Sequence, residues 1–130
     1  MKFKTDELKA QFLARIDKKL KLLLEGLDAF CVNNSFPELV ITELIRLPKH
    51  ASDEHAAGRA ADVRAHAEAH CDKCNVDRFR YTPEQLELMR AYVETNHKRK
   101  AWYNKVGQTL WGFYPHGRGG SFHLHLSVDE

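Results

Sequence analysis

Apolar residues recur at helical spacing from the start of the chain. Leu8, Phe12, Ile16, Leu20, Leu23 and Leu27 fall three or four residues apart, which predicts an amphipathic helix over residues 5–25. Lys18, Lys19 and Lys21 fall on its wet side; they read as a solvated face rather than a contact for an anionic surface. A second short helical stretch fits Leu27 to Val32, and Asn33, Asn34, Ser35 and Pro37 then break it. The pattern changes over residues 38–46 (ELVITELIR), aliphatic and partly β-branched, which predicts a strand. Residues 47–57 are polar and aperiodic and read as a loop, and residues 58–64 (GRAADVR) are extended again.

Residues 65–81 lack periodicity. Thr82 then signals a helix start: a good N-cap, Pro83 at the first helical position and Gln85 completing a capping box. Leu86, Met89 and Val93 form that helix's buried stripe, and it ends near His97 in the basic run His97-Lys98-Arg99-Lys100, which suits the negative end of a helix dipole. The tail predicts a hairpin: a strand over 109–114 (TLWGFY), a turn over 115–120 (PHGRGG) and a strand over 121–128 (SFHLHLSV). No internal repeat, low-complexity segment or dividing linker is visible. The expectation is one α+β domain over 1–130. A helical segment occupies 1–33, and a core over 38–128 is built on a small, mostly antiparallel sheet with helices packed around it.

Composition narrows the function classes. With 130 residues, 43% hydrophobic and 29% charged, the chain is long enough to bury a core. A net charge of +2 gives weak grounds for a nucleic-acid partner. No apolar run reaches membrane-span length, and the charged N-terminus MKFKTDELKAQF lacks a secretion signal, so a cytoplasmic, monomeric protein is expected. The three cysteines, Cys31, Cys71 and Cys74, make a poor disulfide framework. Eight histidines, all in the last two-thirds of the chain, are the first hint of metal chemistry.

The last strand is the most informative segment. Phe122, Leu124, Leu126 and Val128 alternate with His123, His125 and Ser127, so one face packs on a core while the other carries two imidazoles. Alone, such a strand equally fits a polar, solvent-facing sheet surface. A second segment, SDEHAAGRAADVR, holds His55, Gly58, Ala60 and Asp62 as H-x-x-G-x-A-x-D. Imidazole and carboxylate are ordinary zinc ligands, and Gly58 lets the backbone turn between them. Two ligands from this segment and one from the last strand leave a fourth position open, as catalytic zinc requires.

The two motifs together resemble the peptidase family of zinc D-Ala-D-Ala carboxypeptidases and phage L-alanyl-D-glutamate endolysins, whose fold and site the Hedgehog signalling domain shares. The resemblance covers roughly residues 38–128 and implies Zn2+ held by His55, Asp62 and His125. It also implies that Arg46, closing ELVITELIR, steadies a substrate carbonyl or carboxylate. The implied activity is cleavage of peptidoglycan stem peptides containing D-amino acids, and the resemblance to phage endolysins implies a phage or prophage lysis or virion protein, released to the cell wall. Two features depart from the family. Asp53 stands where a serine is frequent, and HGRGGSFH lacks the glutamate that many members place before the last zinc histidine. That leaves His123 as the favoured proton acceptor, with His116, Glu54 and Glu130 as alternatives. A zinc-binding module without turnover, binding a cell-wall or protein partner, is the second reading. A small zinc-stabilised protein that binds nucleic acid through basic helix ends is the third. A second, structural metal could sit on His66, His70, Cys71 and Cys74, whose plainer reading is reduced surface or packing thiols.

Overall fold

The computed structural model describes residues 1–46, 55, 57–65, 79–97, 102–103, 109–110, 113–116 and 123–128. The cluster His66, His70, Cys71 and Cys74, the carboxylates Glu54 and Glu130 and the glycines of the tail turn lie outside them. The described chain is a small α+β domain. Its elements run β1 (Lys2–Phe3), α1 (Asp6–Ala14), α2 (Lys18–Asn33), β2 (Val40–Glu43), β3 (Ala60–Arg64), α3 (Pro83–Asn96), β4 (Trp102–Tyr103), β5 (Thr109–Leu110), β6 (Phe113–His116) and β7 (His123–Ser127). A five-stranded sheet has the order β1-β2-β3-β7-β6, and β4 pairs with β5 separately. Only the β1–β2 pairing of the larger sheet is parallel, so it is mixed, with antiparallel neighbours around β3 and β7. No described helix is long and apolar enough to cross a membrane.

The first helix differs from its expected form. Its apolar stripe continues without a break, yet the backbone divides at Arg15–Asp17. Asp17 starts α2 as its N-cap, accepting the Lys19 N–H at 2.7 Å, while the Asp17 N–H donates to the Gly58 carbonyl at 2.9 Å. Spacing alone cannot register this break, because the residues on both sides face the same core. The short stretch expected at Leu27–Val32 is the last part of α2. In contrast α3 begins where its cap residues say: Thr82 and Gln85 exchange both capping-box hydrogen bonds.

The core lies between the helices and one face of the sheet. Leu20, Leu23, Leu24 and Leu27 of α2, Met89 and Val93 of α3, Ile41, Ala61, Val63, Leu124 and Leu126 belong to one buried cluster. Gly26 of α2 leaves room for the Tyr92 hydroxyl of α3, which a Cβ there would meet; the Tyr92 ring stacks on Phe30.

The strand expected at 38–46 is hydrogen-bonded into the sheet only over Val40–Glu43, so Arg46 lies past its end. Of the strand expected over 109–114 the two ends are described, and they join different sheets. Thr109–Leu110 pair with Trp102–Tyr103, while Phe113–His116 pair with β7, so two sheets share what reads as one extended segment.

Candidate metal centre

The central pair β3–β7 sets the site. Asp62 stands directly opposite His125, and Arg64 opposite His123. Alternation sends Ala61 and Val63 of β3 and Leu124 and Leu126 of β7 into the core, leaving Asp62, His123 and His125 on the other face. Behind them, on that same face, Ala60 and Ser127 pair and are both buried. Ala60, next to Asp62 on the face, takes up little room beside the carboxylate.

His55 reaches this face from the segment before β3. Gly58, at φ 73°, makes the turn, and its N–H donates to the His55 carbonyl at 3.1 Å. The His55 ring is buried, and its Nδ1–H donates to the Leu44 carbonyl at 2.8 Å. A carbonyl can only accept, so this bond sets Nδ1 as the donor and, in the neutral ring, leaves a lone pair on Nε2. That Nε2 lies 3.3 Å from Asp62 Oδ1. Two electron-rich atoms at this distance in a buried site call for a positive charge between them, either a second proton on the ring or a cation.

The same carboxylate oxygen gathers the other imidazoles. His125 Nδ1 is 3.3 Å from Asp62 Oδ1 and His123 Nε2 is 3.6 Å from it. The rings of His55 and His125 meet edge to face, their centroids 5.1 Å apart. Among the described residues, His55, Asp62 and His125 form a group whose ligand atoms all lie within 4.8 Å of one another. Zinc bonds of roughly 2.0–2.2 Å at tetrahedral angles place ligand atoms about 3.4 Å apart, so this group can hold a metal ion with little movement. His123 stands beside the group, closer than its two-residue offset from His125 suggests, because its ring leans towards Asp62.

Asp62 is the electrostatic centre. Burial pushes its pKa up, but hydrogen bonds from the protonated rings of His125 and His55, with the charges of His55 and His123, outweigh that and hold it well below the usual carboxylate range. The carboxylate is therefore ionised and ready to ligate. Its backbone is pinned too: Thr42 Oγ1 donates to the Asp62 carbonyl at 3.3 Å.

The remaining site candidates fall out as follows. Arg46 is half-buried, just past the end of β2. His116 pairs with His123 in register, and only its backbone is described. Sequence reasoning missed the contributions of β2: the Leu44 carbonyl that orients His55, the Thr42 hydroxyl, and the register of Glu43 opposite Asp62. A backbone carbonyl carries no residue-type signal, and the register depends on a bulge that no motif announces. Compared with known proteins, the chain matches no family model, no curated protein and no solved structure.

Proposed function

We propose that this protein is a zinc-dependent peptidase that cleaves peptidoglycan stem peptides containing D-amino acids. On this reading its fold and site belong with the D-Ala-D-Ala carboxypeptidases, phage L-alanyl-D-glutamate endopeptidases and Hedgehog-like domains that its two motifs resemble. The observation that carries the reading is the convergence of His55, Asp62 and His125, from two separate motifs, on one patch of the sheet. His55, with its tautomer set by Leu44, Asp62 and His125 would hold the ion. When bound there, zinc polarises a peptide carbonyl and acidifies water. His123 Nε2, beside the ligand group, accepts the proton of the attacking water and returns it to the leaving nitrogen. Arg46 steadies the substrate's carbonyl or carboxylate.

The test is direct. Protein loaded with zinc is analysed for metal content and incubated with purified stem peptides, and the products are read by mass spectrometry. About one zinc held at this site, with cleavage next to a D-residue, is the expected result. One zinc without cleavage favours the second reading, a binding module of the same fold, which the absence of a glutamate in HGRGGSFH supports. No bound zinc sinks both.

A further inference from the structure

Among the described residues three polar side chains are buried: Gln11, His55 and Ser127. Two of them meet on one peptide unit. Gln11 Oε1 accepts the Ile45 N–H at 3.1 Å, and the Leu44 carbonyl accepts the His55 Nδ1–H at 2.8 Å. That N–H and that carbonyl belong to the single peptide bond between Leu44 and Ile45, just past the end of β2 at Glu43. The bond is trans, so its N–H and C=O point in opposite directions within one rigid plane. Gln11 grips one edge of that plane and His55 the other.

The glutamine is an odd choice for its position. It shares the buried side of α1 with Leu8 and Phe12. An apolar residue would fit there without taking an amide out of water, which is costly unless the amide is hydrogen-bonded. Its oxygen is the only atom of the amide that can accept, so the bond to Ile45 also sets which way the amide faces. The Leu44–Ile45 plane lies beyond the β2 ladder, where a peptide can rock about its flanking dihedrals. Holding its N–H fixes the direction of its carbonyl. Hydrogen bonds in series also polarise one another, so an engaged N–H makes that carbonyl a better acceptor for His55.

The same end of α1 holds the main chain of His55. The Arg15 and Ile16 N–H groups donate to the Gln11 carbonyl at 2.8 and 3.1 Å and close the helix. The next N–H, that of Asp17, donates to the Gly58 carbonyl, and the Gly58 N–H donates to the His55 carbonyl. Gly58 lies against this joint: a Cβ on it would stand 3.4 Å from the Arg15 carbonyl oxygen and 3.5 Å from Ile16 Cα. Residues 11–17 thus reach the His55 ring through one peptide and its backbone through another. Of the three candidate ligands His55 has the greatest need of such support. Asp62 and His125 face each other in the β3–β7 ladder, which fixes both backbones, whereas His55 lies in the turn before β3.

We propose that Gln11 is a positioning residue for the metal ligand His55, setting the direction of its imidazole through the Leu44–Ile45 peptide. The inference rests on the reading of His55, Asp62 and His125 as a metal centre. It makes the first helix, which lies outside both motifs, part of that centre.

The test compares wild type with Gln11→Leu, Gln11→Glu and Leu8→Ala. Leucine fills the buried stripe and offers no acceptor; glutamate keeps an acceptor oxygen at the same reach. Leu8→Ala loosens the same helix one turn away and leaves the Gln11 amide in place. Two quantities are read: zinc affinity, by competition with a chelating dye under conditions where circular dichroism shows each protein folded, and the solvent exchange of the His55 Nδ1–H in the metal-free protein, by NMR. Gln11→Leu is expected to bind zinc roughly tenfold more weakly, the lower end of the effect of removing an outer partner of a metal-bound histidine, and to lose the protection of the His55 Nδ1–H. Gln11→Glu should recover most of both. Leu8→Ala should unfold more easily yet match wild type in both. Should the leucine variant not fold, Gln11→Asn, whose amide falls one methylene short of Ile45, makes the same comparison. Wild-type affinity and wild-type protection in Gln11→Leu overturn the proposal, and so does an equal loss in Leu8→Ala, which would make Gln11 a packing residue only. A wild type that binds no zinc, with the His55 Nδ1–H protected there and unprotected in Gln11→Leu, ends the metal reading and leaves the hold of Gln11 on the imidazole standing.

Discussion

On one face of the paired strands β3 and β7, Ala61, Val63, Leu124 and Leu126 are all 0% exposed. On the other, the side chains of Asp62, His123 and His125 keep 16%, 22% and 17% of their surface. The apolar face is held by burial against α2 and α3, a contribution that grows with the area removed from water and needs no partner from outside. The polar face gathers three imidazoles around one carboxylate oxygen and is stabilised only to the extent that charge is balanced there. The two faces share a backbone, so the core fixes where the site's side chains stand, while the site does little for the core. Folding and metal binding should therefore come apart under mutation.

The largest effect should come from Asp62→Ala, which removes the centre of the polar face. On the proposed function the variant is expected to bind no zinc and remain folded, as metal analysis and circular dichroism would show; zinc bound at wild-type stoichiometry would mean the ligands are misassigned. Asp62 also predicts a pH dependence in the metal-free protein. Its pKa is depressed on folding. The stability it supplies is thus fully present above the ordinary carboxylate value, about 3.9, and is lost as pH falls from there towards the depressed one. Acid unfolding curves of metal-free wild type and Asp62→Ala should converge at low pH; parallel curves would contradict the shift.

Leu126→Ala attacks the other face of the same strand pair. Deleting a fully buried leucine typically costs about 2–5 kcal/mol, so the urea midpoint should fall steeply, while the surviving folded fraction still binds zinc. A smaller effect on stability, and a specific one on chemistry, is expected for His123→Ala. It should keep zinc and lower peptide cleavage by a factor on the order of a hundred, the scale of a lost proton-transfer group. Unchanged cleavage would remove His123 from the mechanism. The smallest effect belongs to Thr82→Ala, far from the site. Losing the N-cap of α3 should cost about 1 kcal/mol and leave zinc affinity untouched; a change in zinc affinity would mean that the two faces are coupled.

How far these features can be read from the residues depends on the range of the interactions behind them. The capping box of α3 is complete within Thr82-Pro83-Glu84-Gln85, and the structure has it. The alternation Phe122 to Val128, like Ala60 and Asp62 in the first motif, marks which side chains share a face, since two-residue periodicity is a property of any strand; His55 comes to that face through the turn at Gly58. So an α+β domain was legible from local pattern, while the set His55, Asp62 and His125, which could hold a metal ion, was expected from the resemblance of the two motifs; the helices, expected around the sheet, pack with one of its faces in the core. Register and breaks were not. Whether a leucine stripe is one helix or two depends on Asp17 meeting Gly58, residues far apart in the chain. Which sheet each end of TLWGFY joins depends on the partners that 109–110 and 113–114 find. The bulge in β2 is settled by the demand that Ile41 and Leu44 both reach the core, and only then does Glu43 fall opposite Asp62. The sequence by itself determined which side chains of β3 and β7 share a face. Tertiary packing alone decided the tautomer of His55, the lean of His123 towards Asp62 and the place of Glu43, because each is fixed by contacts between segments whose spacing along the chain carries no signal.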